Sequence, residues 1–152
     1  MASPLANTYA KGRFVEKCMF PLGTDNILVV PLQSTGIPTD NIMRNCQTLA
    51  AIFTAGGVEA TFTNYTRRVL AAADITITYD LVTNFRPTVS FATQVWAAAG
   101  GAINNTLAAI VLAYRPTSGT ADSGCLPLAV MGYSGTTTGG ALTAVLGTLT
   151  DT

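Results

Sequence analysis

The sequence contains no histidine. This absence removes the side chain that most often serves as a general base and as a ligand of transition metals. A Ser-His-Asp triad or a cysteine–histidine pair therefore cannot form. The eight acidic residues are dispersed, and two that share a strand face, Asp74 and Asp80, would lie about 20 Å apart at the rise of a β-strand. That exceeds the roughly 5 to 9.5 Å between the carboxylates of a glycosidase, so we expect a protein that is not an enzyme and that uses no cofactor or metal.

Charged residues are scarce as well. They make up 11% of the chain, against roughly 25% in an average soluble protein, whereas 49% of residues are hydrophobic. Because charge keeps protein molecules apart in solution, we expect other subunits to cover part of this surface. A weakly polar monomer rich in Ala and Gly is the alternative. Eight basic residues balance eight acidic ones, so charge does not drive binding to nucleic acid; the one adjacent basic pair, Arg67-Arg68, is expected to be solvated.

Cysteines and long apolar runs are also few. Cys18, Cys46 and Cys125 are an odd number of widely spaced residues, which argues against a disulfide framework and against a zinc site. We expect three reduced thiols, with one disulfide and one free thiol as the alternative. The apolar run from Leu107 to Tyr114 is shorter than the ~20 residues of a membrane-spanning helix, and the N-terminus lacks the regions of a signal peptide. We therefore expect folding in a reducing cytoplasm, without a membrane.

Short β-strands dominate the predicted structure. The segments 75–79 and 89–95 alternate between apolar and polar residues and are predicted to form an antiparallel hairpin. The run 107–114 is apolar on both faces, which fits a central strand or a buried helix, and its β-branched residues favour the strand. The strand that begins at Ile27 is expected to end at Pro31 or to lie on a sheet edge, because proline cannot donate to a ladder. Further strands are predicted at 14–20, 60–63, 126–133 and 141–149. Many short strands with frequent turns predict an antiparallel β-sandwich or barrel.

One amphipathic helix is predicted, at about residues 40 to 54. Ile42, Cys46, Leu49 and Phe53 recur at helical spacing, and Gly56-Gly57 provides a C-terminal stop. The helical and strand patterns together predict a set of buried side chains: Ile42, Leu49, Phe53, Ile75, Ile77, Phe91, Val95, Ile110 and Leu112. Trp96, the single tryptophan, is expected in the core or in a subunit interface rather than on a sugar-binding surface.

Residues 1–13 are predicted to form an N-terminal arm, and residues 14–152 a single β-rich domain. The arm has no hydrophobic periodicity, and Leu5 and Tyr9 are its only large apolar side chains. Burial of two side chains cannot offset an ordering cost of about 1–2 kcal/mol per residue. We therefore expect the arm to order on a neighbouring subunit, with Leu5 and Tyr9 in the contact. A frayed terminus is the alternative.

Two segments of the chain resemble a known group of proteins. The first runs from Glu59 to Leu70 and contains the motif FTNY followed by two arginines. The second runs from Val95 to Ala108 and contains tryptophan, a glycine pair and the motif NNTLA. Between them lies a threonine-rich strand, and Tyr114-Arg115-Pro116 and Leu126-Pro127-Leu128 follow. This order, over roughly residues 42 to 133, is similar to that of small virion structural proteins of tailed bacteriophages, which occur with head and connector components. The resemblance implies a role in the particle, and it transfers no functional residue.

Composition and resemblance together lead to a functional expectation. We expect a head decoration (cement) protein or minor capsid subunit that binds and stabilises the capsid lattice. Its partners would be further copies of itself, in a homo-oligomer for which the resemblance favours a trimer, and the major capsid protein or other virion proteins. The alternatives are a tail-tube, connector or tail-tip subunit and a receptor- or glycan-binding fibre module. The protein would be assembled in the host cytoplasm and carried in the virion.

Overall fold

The computed structural model describes residues 5–6, 24–79 and 87–150, and these residues are mostly β with antiparallel sheets, as predicted. The strands are β1 (Leu5–Ala6), β2 (Asn26–Gln33), β3 (Arg68–Leu70), β4 (Ile75–Tyr79), β5 (Pro87–Phe91), β6 (Gln94–Trp96), β7 (Thr106–Arg115), β8 (Leu126–Thr136), β9 (Leu142–Ala144) and β10 (Leu149–Thr150). The helices are α1 (Asp40–Asn45) and α2 (Leu49–Thr54), with single 3-10 turns at Ala72–Asp74 and Asp122–Gly124. Neither of these two α-helices has the length and apolar character to cross a membrane.

The largest sheet has the strand order β1-β8-β7-β2-β3. Strand β7 lies at its centre and pairs antiparallel with β2 on one side and with β8 on the other. This confirms the prediction that 107–114 is a central strand. Both faces of the sheet are covered, which explains why β2 and β7 are apolar on both faces.

Each face of this sheet contributes to a separate hydrophobic cluster. On one face the sheet residues Leu28, Val30 and Val111 pack with residues of the helices, among them Leu49 and Ile52. On the other face the sheet packs against side chains of the two smaller sheets, whose orders are β10-β5-β4 and β6-β9. The cluster on that face includes Ile27, Val29, Leu112, Val89, Phe91 and Trp96.

The hairpin of β4 and β5 confirms the prediction, but its continuation into 95 was wrong. Strand β5 ends at Phe91, and a two-residue break separates it from β6. The alternation of faces is therefore not continuous: Phe91 and Trp96 are buried, whereas Val95 is 44% exposed. Ile75 and Ile77 are half-buried, and Ile110 and Leu112 are buried as predicted.

The predicted helix over 40–54 consists of two short helices. The Thr48 hydroxyl oxygen accepts a hydrogen bond from the backbone N–H of Ala51 at 3.1 Å, so Thr48 caps a new helix rather than continuing the first. The helical period restarts at this break. Leu49 is fully buried as predicted. The prediction that Ile42 is buried was wrong, since its side chain is 44% exposed. Phe53 is half-buried rather than fully buried.

Strand β2 passes through Pro31 and continues to Gln33, contrary to the predicted end at Val30. The Pro31 carbonyl accepts a hydrogen bond from the Ala60 N–H, on the side of the strand away from β7. Since the amide nitrogen and carbonyl of one strand residue point to the same side, the missing donor of Pro31 faces that side too. Strand β3 has already ended there, with Val29 opposite Arg68, so the missing donor takes no hydrogen bond from the ladders with β7 and β3.

The remaining sequence predictions concern three strand segments and the cysteines. The segment 60–63 is a loop next to an isolated bridge between Leu32 and Glu59, and the predicted strand 141–149 is two short strands, β9 and β10. The predicted strand 14–20 lies outside the described residues. Cys46 and Cys125 are buried thiols, and burial raises the pKa of both. Cys18 lies outside the described part of the chain.

Candidate functional site

Four polar side chains form an ion-pair cluster beside the helices: Glu59, Tyr65, Arg67 and Asp122. The Arg67 guanidinium donates to both carboxylate oxygens of Glu59, at 2.7 and 2.6 Å. It also donates to both oxygens of Asp122, one of them at 2.9 Å. The Tyr65 hydroxyl donates to Glu59 at 2.7 Å. The cluster therefore connects the segment after α2, the segment before β3 and the turn before β8, which are distant in sequence.

Hydrogen bonds and burial within this cluster raise the pKa of Arg67 and of Tyr65. The hydrogen bonds from Arg67 to Glu59 and Asp122 raise the pKa of the guanidinium above its usual value. Burial, followed by the hydrogen bond to Glu59, raises the pKa of Tyr65. The Arg67 guanidinium also lies 5.8 Å from the centre of the Phe53 ring, a cation–π distance. Both carboxylates are hydrogen-bonded to the guanidinium, so the cluster ties three segments of the fold together. The sequence prediction that Arg67 is solvated was wrong.

Replacement of Tyr65 with phenylalanine is expected to change how stability depends on alkaline pH. The folded-state pKa of Tyr65 is raised above the unfolded value of about 10. The folded chain therefore retains this proton where the unfolded chain loses it, and stability falls as pH rises above about 10. Near neutral pH, Tyr65→Phe should be about 1 kcal/mol less stable than the unchanged protein, because one hydrogen bond is lost.

Urea unfolding from pH 7 to pH 11 measures this difference. The difference in the free energy of unfolding between the two proteins should narrow above pH 10, since only the unchanged protein carries the Tyr65 proton. Tyr133→Phe is the matched control, because burial also raises the pKa of Tyr133 but its hydroxyl donates to the backbone carbonyl of Thr143 rather than to a carboxylate. A gap for Tyr65→Phe that stays constant up to pH 11 would contradict the assignment.

The two segments that carry the phage resemblance meet in one loop platform, made of residues 61–66, 98–105 and 136–140. Thr63 is its centre: its N–H donates to the Ile103 carbonyl, its carbonyl accepts from Gly100, and its hydroxyl accepts from the Ile103 N–H, all within 3.0 Å. The side chain of Asn105 is bound by the Thr61 N–H at 2.6 Å. These bonds join segments about 40 residues apart into one rigid unit.

The backbone of the loop platform adopts conformations that few residues tolerate. Asn64, Gly100 and Gly139 have φ angles of +67°, +93° and +94°, in the region that favours glycine. A Cβ atom at Gly100 would lie 2.2 Å from the Asn104 side-chain oxygen, so this position requires glycine. The platform presents Ile103, which is 55% exposed. The sequence predicted a strand at 60–63 and turns in the other segments of the platform; the pairing of the segments could not be read from it.

Trp96 anchors the loop platform to the core. Its indole N–H donates to the Thr66 carbonyl at 2.8 Å, and its ring contacts Phe62 edge-on. The Arg68 guanidinium lies 5.5 Å from the ring centre and donates to the Val95 carbonyl. Trp96 is 2% exposed, so its ring is part of the core and has no face open for stacking on a sugar.

The charged side chains are the most unusual feature of the surface. The described residues include nine charged side chains, and seven of them are half-buried and hydrogen-bonded within the chain. These seven are Asp25, Glu59, Arg67, Arg68, Asp74, Arg115 and Asp122. The other two, Asp40 and Arg44, are exposed on α1 and have opposite signs. The surface of the described part is therefore nearly free of exposed charge.

Exposed apolar side chains occur at several separate places on this surface. Ile42 lines an open depression of about 590 Å³ over the break between the helices. Val95 and Val145 are 44% and 56% exposed on the β6–β9 side. Strand β4, at the edge of its sheet, contains neither charge nor proline, the two features that natural edge strands use against unwanted pairing.

The two site residues predicted from sequence are Leu5 and Tyr9. The backbone of Leu5 lies in β1, opposite Val130 of the same chain. Tyr9 lies outside the described residues, and the contact of the arm with a neighbouring subunit stays a prediction. Among the described residues, no group of three or more Cys, Asp or Glu side chains is placed to hold a metal ion.

Comparisons with family models, with curated proteins and with solved structures gave no match to this chain.

Proposed function

We propose that this chain is a structural subunit of a virion, a head decoration (cement) or minor capsid protein that packs on the capsid lattice and stabilises it. The observation that carries the proposal is the near absence of exposed charge from the described surface. Only Asp40 and Arg44 are exposed among the nine charged side chains there.

A surface of this kind is suited to close packing between subunits. Burying a charge in an interface is costly unless it is paired and hydrogen-bonded, whereas seven of the nine charged side chains in the described part already have hydrogen-bond partners within the chain, and three of these form ion pairs. The exposed side chains that remain include threonine, alanine and valine. Removing them from water against a similar surface costs little free energy. Interface cores are likewise depleted of Lys, Glu and Asp. The same surface leaves little repulsion to keep free molecules apart.

The virion part of the proposal is supported by the resemblance of residues 59–70 and 95–108. These segments build the loop platform, whose rigid backbone presents Ile103. A rigid platform binds with less loss of conformational entropy than a mobile loop. A tail-tube, connector or tail-tip subunit is the alternative, since it needs the same neutral contacts.

The number of copies per particle separates these roles. Purified particles would be analysed on stained gels, with the band intensity compared with that of the major capsid protein. Hundreds of copies per particle fit a decoration protein or a tail tube, and a handful fit a connector, tip or fibre. Absence of the protein from purified particles would overturn the virion proposal.

Self-association of the protein is expected to be insensitive to salt. Raising the ionic strength from about 0.1 M to 1 M shortens the screening length from about 10 Å to 3 Å, which weakens contacts between exposed charges but not contacts between neutral surfaces. Light scattering and sedimentation should show the same oligomer, a trimer by our proposal, at both salt concentrations. An oligomer that dissociates at 1 M salt would show that charged residues form the contact, and a monomer at high concentration would count against self-association.

A further inference from the structure

The outer edge of β8 is a binding site for a single short strand. On its inner side, β8 pairs with β7 from Leu126 to Thr136. On its outer side, β1 pairs with it in antiparallel register, with Leu5 opposite Val130 and Ala6 opposite Ala129. With β1 in place, Val130 and Ala129 are 5% and 0% exposed, so both residues are covered at this part of the edge.

The ladder between β1 and β8 is too short to hold the strand by itself. A backbone hydrogen bond contributes roughly 0.5–1.5 kcal/mol net, and ordering one residue costs about 1–2 kcal/mol. For two paired residues, the free energy gained from the hydrogen bonds is therefore no larger than the cost of ordering the strand. Occupation of the site then depends on the local concentration of the strand, which can come from the same chain or from an adjacent copy.

The length of the connection allows either source. Residues 7–13, the remainder of the predicted arm, lie between Ala6 and the predicted domain, and a chain of that length can span at most about 25 Å. A compact domain of this size has a radius of gyration of about 15 Å. The first strand can therefore reach the same site on a neighbouring copy.

We infer that subunits exchange β1, so that Leu5 and Ala6 of one copy pair with Val130 and Ala129 of the next. This inference rests on the proposed function, because a packed assembly brings the neighbouring site close. The exchange forms the same backbone pairs as the arrangement within one chain, so no contact is lost, and it links each subunit to its neighbour. The partner is a second copy of this chain, and the interaction surface is the outer edge of β8.

Disulfide trapping distinguishes exchange from pairing within one chain. Antiparallel partners lie about 4.5–5.5 Å apart between Cα atoms, within the range that a disulfide requires. Leu5→Cys and Val130→Cys would be introduced into separate chains, both carrying Cys18→Ser, and the two chains co-expressed, purified and oxidised with oxidised glutathione, which accepts the two electrons released when the disulfide forms. The buried Cys46 and Cys125 would be retained. A Leu5→Cys chain co-expressed with a Ser134→Cys chain is the control, because that position is displaced four residues along β8.

Exchange predicts that most of the co-expressed protein forms a linked dimer on non-reducing gels, with the peptide around position 5 joined to the peptide around position 130 in mass spectra. The control pair should give none. If Val130→Cys fails to fold by circular dichroism, Ala6→Cys with Ala129→Cys replaces the pair. A chain carrying both cysteines that forms only an internal disulfide, with no dimer from the separate chains, would overturn the exchange. Absence of any disulfide would overturn it too. Either result leaves the proposed function standing if the oligomer persists in light scattering, and a monomer there would count against both.

Discussion

Replacing Trp96 with alanine is expected to lower the free energy of unfolding by roughly 3–5 kcal/mol, the range for large aromatic residues in a core. The ring is 2% exposed and packs edge-on against Phe62. Its removal would leave a cavity between the central sheet and the smaller sheets, and it would leave the Thr66 carbonyl without its indole donor. The Arg68 guanidinium would also lose the ring beside it.

Urea unfolding followed by far-ultraviolet circular dichroism measures this effect without relying on tryptophan fluorescence. Trp96→Phe retains most of the packing and removes the donor, so it should cost less than the alanine variant. Val95→Ala, at the exposed neighbour, should change stability by less than about 0.5 kcal/mol. A loss below about 1 kcal/mol for Trp96→Ala would mean that Trp96 is not a core residue.

Replacing Arg67 with methionine is expected to lower the free energy of unfolding by about 2–3 kcal/mol. Methionine preserves much of the side-chain volume but leaves Glu59 and Asp122 as two unpaired carboxylates close together. Breaking a fully buried ion pair typically costs 3–5 kcal/mol. The loss here is smaller because the three side chains are 24–28% exposed, so water screens part of the repulsion.

A triple variant separates the charge effect from lost packing. Adding Glu59→Gln and Asp122→Asn to Arg67→Met removes both unpaired charges, so stability should recover in part. Arg44→Met is the matched control, because Arg44 is exposed on α1 and its loss should change stability by less than about 0.5 kcal/mol. Equal effects of Arg44→Met and Arg67→Met would show that the ion-pair cluster contributes nothing specific.

Patterns confined to one segment were predictable from the sequence. The alternation of 75–79 and the apolar run of 107–114 each gave the correct strand, because face and burial follow directly from period and composition. The helix over 40–54 also gave its correct location. The prediction of one continuous helix failed at Thr48, because the side-chain cap there begins a second helix although the helical pattern of apolar residues continues.

Contacts between distant segments were not predictable. Arg67 pairs with Asp122, 55 positions away, and a single sequence gives no signal for that distance. The same is true of the loop platform, where Thr63 meets Ile103. Val95 illustrates an intermediate case: a two-residue break after Phe91 reverses the face, and Ala92-Thr93 has no turn signal strong enough to reveal it.

The pairing of β2 with β7 bears on how the protein is made. Asn26 and Arg115 are 89 positions apart in sequence, so on the ribosome β2 emerges long before its partner in the ladder. During that interval an apolar strand has no partner along one side, and such strands are prone to pair with other nascent chains. Pro31 lacks a backbone donor on the other side of β2, which likewise has no partner until β3 is made, and this gap takes no hydrogen bond from the ladders with β7 and β3. It would therefore act as a gatekeeper against aggregation during synthesis.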